Sequence, residues 1–350
     1  MKYKPDWNDA RKRLTALWNH EVAGRPCIAV TAPSGRAVNW PPPPATPEQK
    51  WLDPDWIRKD ILARMESTWW GGEAVPSYLL MAGWLLCLGG TPRFDMNTIW
   101  FDQMDIDCSG PSPFRYSDDN EWGRTYARVY EAAADLAGKD DFLAGSPGGL
   151  PANDLLSMLM GTEQFLMNLV DHPGWMRDAI VTGAREQLRI SRRLAAAARM
   201  KHDFWYGIAG WMPFWAPEPF ITTQSDVSCM LSPDMYDRFV VPELEIYGEA
   251  CGALWYHLDG GDARQHLPRL LSLPWLKVIQ YTPRPVEPPN GPAHLDFYRA
   301  VQAAGRIVHI QCPREHVLPL LKALDPALLM LDTWCDSMAE GEALLESARV

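Results

Sequence analysis

Apolar positions along this chain follow two rhythms, and from about residue 140 onward they alternate. Short apolar runs lie at 141–144, Phe204 to Ile208, Ala253 to Tyr256, Leu276 to Tyr281, Arg306 to Gln311 and Leu328 to Thr333. Runs of this length, closed by glycine, proline or polar residues, read as buried strands. Between them come stretches with apolar residues three and four apart. One starts near Asn153 or Asp154 and carries Leu155, Leu156, Met158 and Leu159, and another runs from about Pro173 to Met200. Others are expected near Leu295 to Ala304, Glu315 to Leu324 and Ala339 to Ala348. Ser232-Pro233-Asp234 opens a further helix, with serine as N-cap, proline in the first turn and aspartate complementing the dipole. Strand-then-helix order predicts a parallel sheet, because parallel neighbours need crossover connections.

Two further runs, around Ile28 to Thr31 and Ile99 to Phe101, bring the strand count to eight. Eight units in 350 residues predict an α/β fold, a single (β/α)8 barrel over 1–350, with 1–60 as an irregular N-terminal extension. A doubly wound sheet is the competitor, but no glycine-rich dinucleotide loop follows the first strand. Pro41 to Pro44 reads as a stiff surface spacer, and no internal repeat is visible.

Composition narrows the partners. The net charge of −11, with no basic stretch, argues against nucleic acid. No apolar run is long enough to span a bilayer and the first residues lack a hydrophobic signal core, so a cytoplasmic protein is expected. Seven cysteines without close CxxC pairs read as reduced thiols. A homodimer remains open.

The chemistry-bearing residues collect at the ends of the apolar runs. In Ala253-Leu254-Trp255-Tyr256-His257-Leu258-Asp259-Gly260-Gly261, His257 and Asp259 share one side of a period-2 backbone at the strand's C-terminal end. Catalytic groups of α/β proteins collect there. A later run ends in Asp332-Thr333-Trp334-Cys335. An imidazole, a carboxylate and a thiolate from separate strand ends form a candidate zinc site of His257, Asp259 and Cys335 with one position open. The competing reading is a hydrogen-bonded His–Asp pair and a buried thiol; Cys312 is a substitute ligand. Asp226 is a candidate acid–base carboxylate, as is Asp259, against a turn-forming role for Asp226. Seventeen tryptophans are several-fold more than usual, and most serve the core. Trp211 and Trp215, flanking Pro213, are candidate pocket walls. Gln280, Tyr281 and Gln311 are candidate ligand contacts at strand ends. Glu163 is either solvated or a buried partner.

The segment SDVSCMLSPDMYDRFVVPELEIYGEACGALWYHLDGG (Ser225 to Gly261) resembles the uroporphyrinogen decarboxylase superfamily. An acidic loop, an LSP helix start, an F-V-x-P helix and a histidine-tipped strand follow there in this order. GTEQFLMNLVDHP (Gly161 to Pro173) and TWCDSMAEGEALL (Thr333 to Leu345) look like its middle and C-terminal stretches, so the resemblance covers roughly 140–350. True uroporphyrinogen decarboxylases read an acidic tetrapyrrole through N-terminal arginines in a segment like R-Q-A-G-R-Y, where this chain has Arg25-Pro26-Cys27-Ile28-Ala29-Val30. The corrinoid-linked methyltransferase branch binds zinc through H-x-C and a later cysteine. Against that pattern His257 matches the histidine, Asp259 stands in place of the first cysteine, and Cys335 matches the late one. The resemblance implies a zinc-dependent methyltransferase working with a corrinoid-borne methyl group, supplied by a corrinoid protein, and a small-molecule acceptor. A decarboxylase acting on a small acid and a non-catalytic binding barrel are the alternatives. Without an arginine cluster at the mouth, a planar, weakly charged ligand is expected in preference to a polyanion.

Overall fold

The computed structural model describes residues 1–78, 80, 87–137, 142–144, 151–200, 205, 207–208 and 212–349. Its centre is a seven-stranded sheet. The order is β2 (Thr68–Gly72), β1 (Cys27–Pro33), β13 (Leu329–Trp334), β12 (Ile307–Gln311), β11 (Leu276–Thr282), β10 (Leu254–Asp259) and β9 (Ile221–Gln224). Every neighbouring pair is parallel except β1–β2. The strands are near-continuous in Val, Ile and Leu because both faces are covered; Leu329, Leu331, Ile279 and Val308 are fully buried. Three two-stranded pairs lie apart: β3 (Ser77–Tyr78) with β6 (Leu143–Ala144), β4 (Pro92–Phe94) with β5 (Ile99–Phe101), and β7 (Gly207–Ile208) with β8 (Phe214–Trp215).

The α/β class and the parallel sheet agree with the sequence pattern, but a closed ring of eight strands is not formed among the described residues. Ile99–Phe101 was expected in the ring and instead closes an antiparallel hairpin on Pro92–Phe94. β2 and β9 take places in the sheet that the pattern did not assign. The first 60 residues are also more regular than expected. Trp7–Trp18 and Pro54–Ser67 are helices, and β1 lies inside the central sheet. Parts of the runs expected at 141–144 and Phe204 to Ile208 fall outside the described residues.

The helices follow their apolar stripes and caps. Pro173–Ala197 buries Met176, Ile180, Ala184, Leu188 and Ile190 on one face. Ser232 accepts the Met235 N–H at 3.3 Å, and the helix it opens runs Pro233–Phe239 before Val241–Cys251 continues beyond Pro242. A buried ion cluster ties the N-terminal part to β1. The fully buried Glu73 accepts Arg25 in a fork at 2.6 and 2.9 Å, the Ile28 N–H at 2.8 Å, and the Arg13 guanidinium. Glycine at position 72 is required: its φ is +58°, and a Cβ there would lie 2.0 Å from the Ile28 carbonyl oxygen.

Register decides which residues share a face. In a parallel sheet, matched positions point the same way. His257 pairs with Gln280, Gln280 with His309, and His309 with Met330. One layer nearer the strand ends, Asp259 matches Thr282 on β11, and Gln311 matches Asp332 on β13. The inner face of the sheet thus carries a polar row at its C-terminal rim.

Candidate metal centre

His257, Asp259 and Asp226 converge at the β9–β10 edge of that rim. One ligand atom from each lies within 4.8 Å of the other two, and His257 Nε2 stands 3.9 Å from Asp259 Oδ1. Two of the three come from β10, two residues apart on one face. The third begins the short 3-10 turn Asp226–Met230 that follows β9, and β9 pairs with β10 so that Gln224 lies beside His257.

The imidazole is oriented from behind. His257 Nδ1 meets the Gln280 amide oxygen. The Gln280 amide nitrogen donates to the Tyr281 carbonyl at 2.7 Å and to the Thr282 hydroxyl at 2.9 Å, which turns the amide oxygen toward the ring. Nδ1 therefore carries the proton, and Nε2 turns its lone pair to the carboxylates. Burial lowers the His257 pKa, although the Gln280 bond and Asp259 pull it back up, so the ring is held neutral.

Asp226 is oriented through its backbone. The buried Asp154, on the helix Ala152–Met160, accepts the N–H groups of Asp226 at 2.9 Å and Val227 at 3.0 Å. Glu243, also buried, accepts the Asn153 N–H at 3.2 Å and its side-chain amide at 2.9 Å. Asn153 in turn accepts the Ser225 hydroxyl at 3.1 Å. The Gln224 amide donates to the Asp226 carboxylate at 2.6 Å. Asp226 is open to solvent as a residue, yet its carboxyl sits among protein atoms. That desolvation, with Asp154 and Asp259 close by, raises its pKa. Asp154 is raised by burial as well. Among the described residues no lysine or arginine pairs with Asp226 or Asp259.

The donor set fits a divalent ion. Ligands about 2.0–2.2 Å from a tetrahedral metal stand roughly 3.4 Å apart, so the 3.9 Å separation of His257 and Asp259 needs to close by only about 0.5 Å. An imidazole held by its other nitrogen is the arrangement metal sites use, and the crowded carboxylates lack a countercharge that a cation would supply.

No family model matches the chain, and no curated protein does. A solved structure does: a methyltransferase from Methanosarcina mazei superposes with a TM-score of 0.57 over 97% of this chain and 98% of its own, at 11% identity. The likeness is one of fold.

The remaining candidates are dispersed. Cys335 does not join the triad. β13 is three strands from β10, roughly 14 Å along the sheet at about 4.8 Å per strand. Its thiol is buried just beyond β13, where Arg314 and Glu340 are its charged neighbours, and burial raises its pKa. The place expected for it is taken by Asp226. Cys312 is buried too, with its pKa pushed up to about 12. Tyr281 points to the opposite face of the sheet from Gln280. It packs on His294 and Phe297 and donates to Glu287 at 3.1 Å, away from the triad. Trp215 meets Trp7 edge-on, with ring centroids 5.4 Å apart, in packing with the N-terminal helix. Trp211 lies outside the described residues. Gln311 lines a separate cleft with Asp332, and Glu163 is exposed.

Three features escaped the sequence reading. Gln280 was expected to touch a ligand and instead buttresses His257. Asp154 was noted only as a place near which a helix starts, and it holds the Asp226 turn. His309, fully buried on the inner face beside Phe214 and Trp255, has its pKa lowered to about 3 by burial, and neither ring nitrogen has a hydrogen-bond partner among the described residues. Only its place in an apolar run signals its burial.

Proposed function

We propose that this protein is a metal-dependent methyltransferase of the uroporphyrinogen decarboxylase-like kind, with zinc held by Asp226, His257 and Asp259. The observation that carries the reading is the convergence of these ligand atoms at the C-terminal rim of a parallel sheet whose overall fold is shared with a methyltransferase. In this reading the open sheet and the pair β3–β6 are arcs of one (β/α)8 barrel, and the triad stands at its mouth.

Bound zinc would supply Lewis acidity, holding a small acceptor as its more nucleophilic anion. The chain's own groups do the rest. Gln280 keeps the His257 Nε2 lone pair pointed at the site, and Asp154 fixes the approach of Asp226. Asp226, whose pKa is raised while the site holds no cation, would give up its proton on taking the ion, and the acceptor's proton would pass to water at the open side of the turn. The methyl group is proposed to come from a corrinoid-borne donor brought by a partner protein. Two aspartates in the ligand set make the site harder than a thiolate one, which favours oxygen or nitrogen acceptors beside thiols.

Purified metal-free protein should take up one equivalent of zinc, and H257A and D259N should each lose it. With methylcobalamin and a panel of thiols, amines and alcohols, cobalamin demethylation and a methylated product are expected. A second reading, decarboxylation of a small acid, is favoured by the proton held on Asp226, which suits protonation of a carbanion. Carbon dioxide release from a carboxylic acid, without methyl transfer, would replace the first reading with this one.

A further inference from the structure

A cleft of about 410 Å3 opens at the β1–β13–β12 part of the rim, away from the triad, with Thr31, Thr68, Trp70, Gln311, Asp332 and Trp334 among its walls. Among its described wall residues the one charged group is Asp332, whose side chain is only 7% exposed. Register puts Asp332 beside Gln311 and Ala29 on the inner face. Its carboxylate has no hydrogen-bond or ion-pair partner among the described residues, although burying an unpaired carboxylate is costly. The cleft therefore holds a buried negative charge, hydroxyl groups and two indole rings, with no lysine, arginine, histidine, cysteine or second carboxylate in its described lining.

We propose that this cleft binds a small organic cation, an alkylammonium whose nitrogen sits on the Asp332 carboxylate against the rings of Trp70 and Trp334. Each part of the lining selects for that class. A single carboxylate is too few ligands for a zinc or calcium ion. An anion would meet no positive group among the described lining residues. An ammonium, by contrast, completes the unpaired acceptor in a charge-assisted bond and is attracted to indole faces. The volume suits a molecule of a few to about a dozen heavy atoms. The site stands independently of the metal triad and of the methyl-transfer reading.

Occupancy also relieves the carboxyl. Burial alone holds the Asp332 pKa up at about 7. The titratable neighbours do not compete for the cation: the Cys312 thiol is held protonated, and His309, one layer deeper on the same face, is kept neutral by burial. A bound ammonium favours the ionised carboxylate, so binding strengthens from pH 6 to pH 8 and releases protons near pH 7.

The test is calorimetric titration of the purified full-length protein with trimethylammonium chloride, with sodium acetate as control. Saturable binding at pH 8 is expected, weaker at pH 6, with proton release near pH 7 read from two buffers of different ionisation enthalpy. D332N should weaken it about tenfold or more, while zinc uptake by the triad stays unchanged. W334A, at a half-exposed position, should weaken it about two- to fivefold, which keeps a test in hand should D332N fold poorly. Absence of trimethylammonium binding to the wild type, equal binding by D332N, binding that ignores pH, or acetate binding as tightly would each overturn the proposal.

Discussion

A histidine ligates through one nitrogen, and whatever holds the other decides which. Here that is Gln280, so its loss should act on metal affinity and leave the ligand set intact. Q280L is expected to weaken zinc binding by about 10–100-fold. Q280E, which keeps an acceptor facing Nδ1, should recover most of it; a competition titration against a chelator reads both. Asp332 makes a second prediction, on stability. Its carboxyl is raised from an ordinary 3.8 to about 7 in the folded chain. Between those values the folded state binds more protons than the unfolded one, so stability is greatest below about pH 4 on this account and falls as pH rises toward 7. D332N should remove that loss. Without added amine it should be more stable than the wild type at pH 8 by up to about 4 kcal/mol, a ceiling set by roughly 1.4 kcal/mol per pH unit, and little different at pH 4; urea melts at the two pH values check this. His257 and Asp259 were legible as a pair because a strand end displays its chemistry locally, whereas Asp226 was read as an acid–base carboxylate and not as their partner, since the strand before it was not recognised. Cys335 was expected beside them and lies three strands away, because the local pattern does not say which strands are neighbours.

At the scale of elements, long strands and capped helices were readable and short or polar ones were not. β10 to β13 are apolar runs with clear ends, and the structure keeps them within a residue of the pattern, except that β10 runs on to Asp259, three residues past Tyr256. β9 is Ile221-Thr222-Thr223-Gln224, four residues of which two are threonine, and it sits in the sheet because the β10 edge supplies its hydrogen bonds. β2 went unassigned because its Thr-Trp-Trp-Gly-Gly sequence contains no aliphatic run. Its place depends on Glu73, one residue beyond it, where Arg13, Arg25 and the Ile28 amide meet. Removing the charge from one partner of a buried ion cluster leaves the others uncompensated. E73Q is therefore expected to destabilise the fold by about 3–5 kcal/mol, measured by chemical denaturation, with the N-terminal helix Trp7–Trp18 losing protection first in hydrogen exchange. D9N, at the exposed pair of Asp9 with Lys12, should cost less than about 1 kcal/mol.

For the molecule as a whole, the alternation of runs and helices was enough to predict a parallel α/β sheet, while ring closure was not, since it depends on how strands far apart in the chain meet. The clearest such meeting is β1 with β13, where Ala29 lies opposite Asp332. Deleting everything from Leu329 onward would strip a neighbour from both β1 and β12 and leave two apolar edges open. The shortened protein should be largely insoluble, or aggregated by size-exclusion chromatography, whereas a deletion beginning at Ala348 should not be. The same pairing governs how the fold is reached. About 300 residues separate the partners, so the loop between them must be ordered before their contact is rewarded. During synthesis the place beside β1 stays empty until about 300 further residues have been made. Folding should accordingly be slow, with a late cooperative step that coincides with docking of the last strand, and the nascent chain should need protection from self-association throughout that wait.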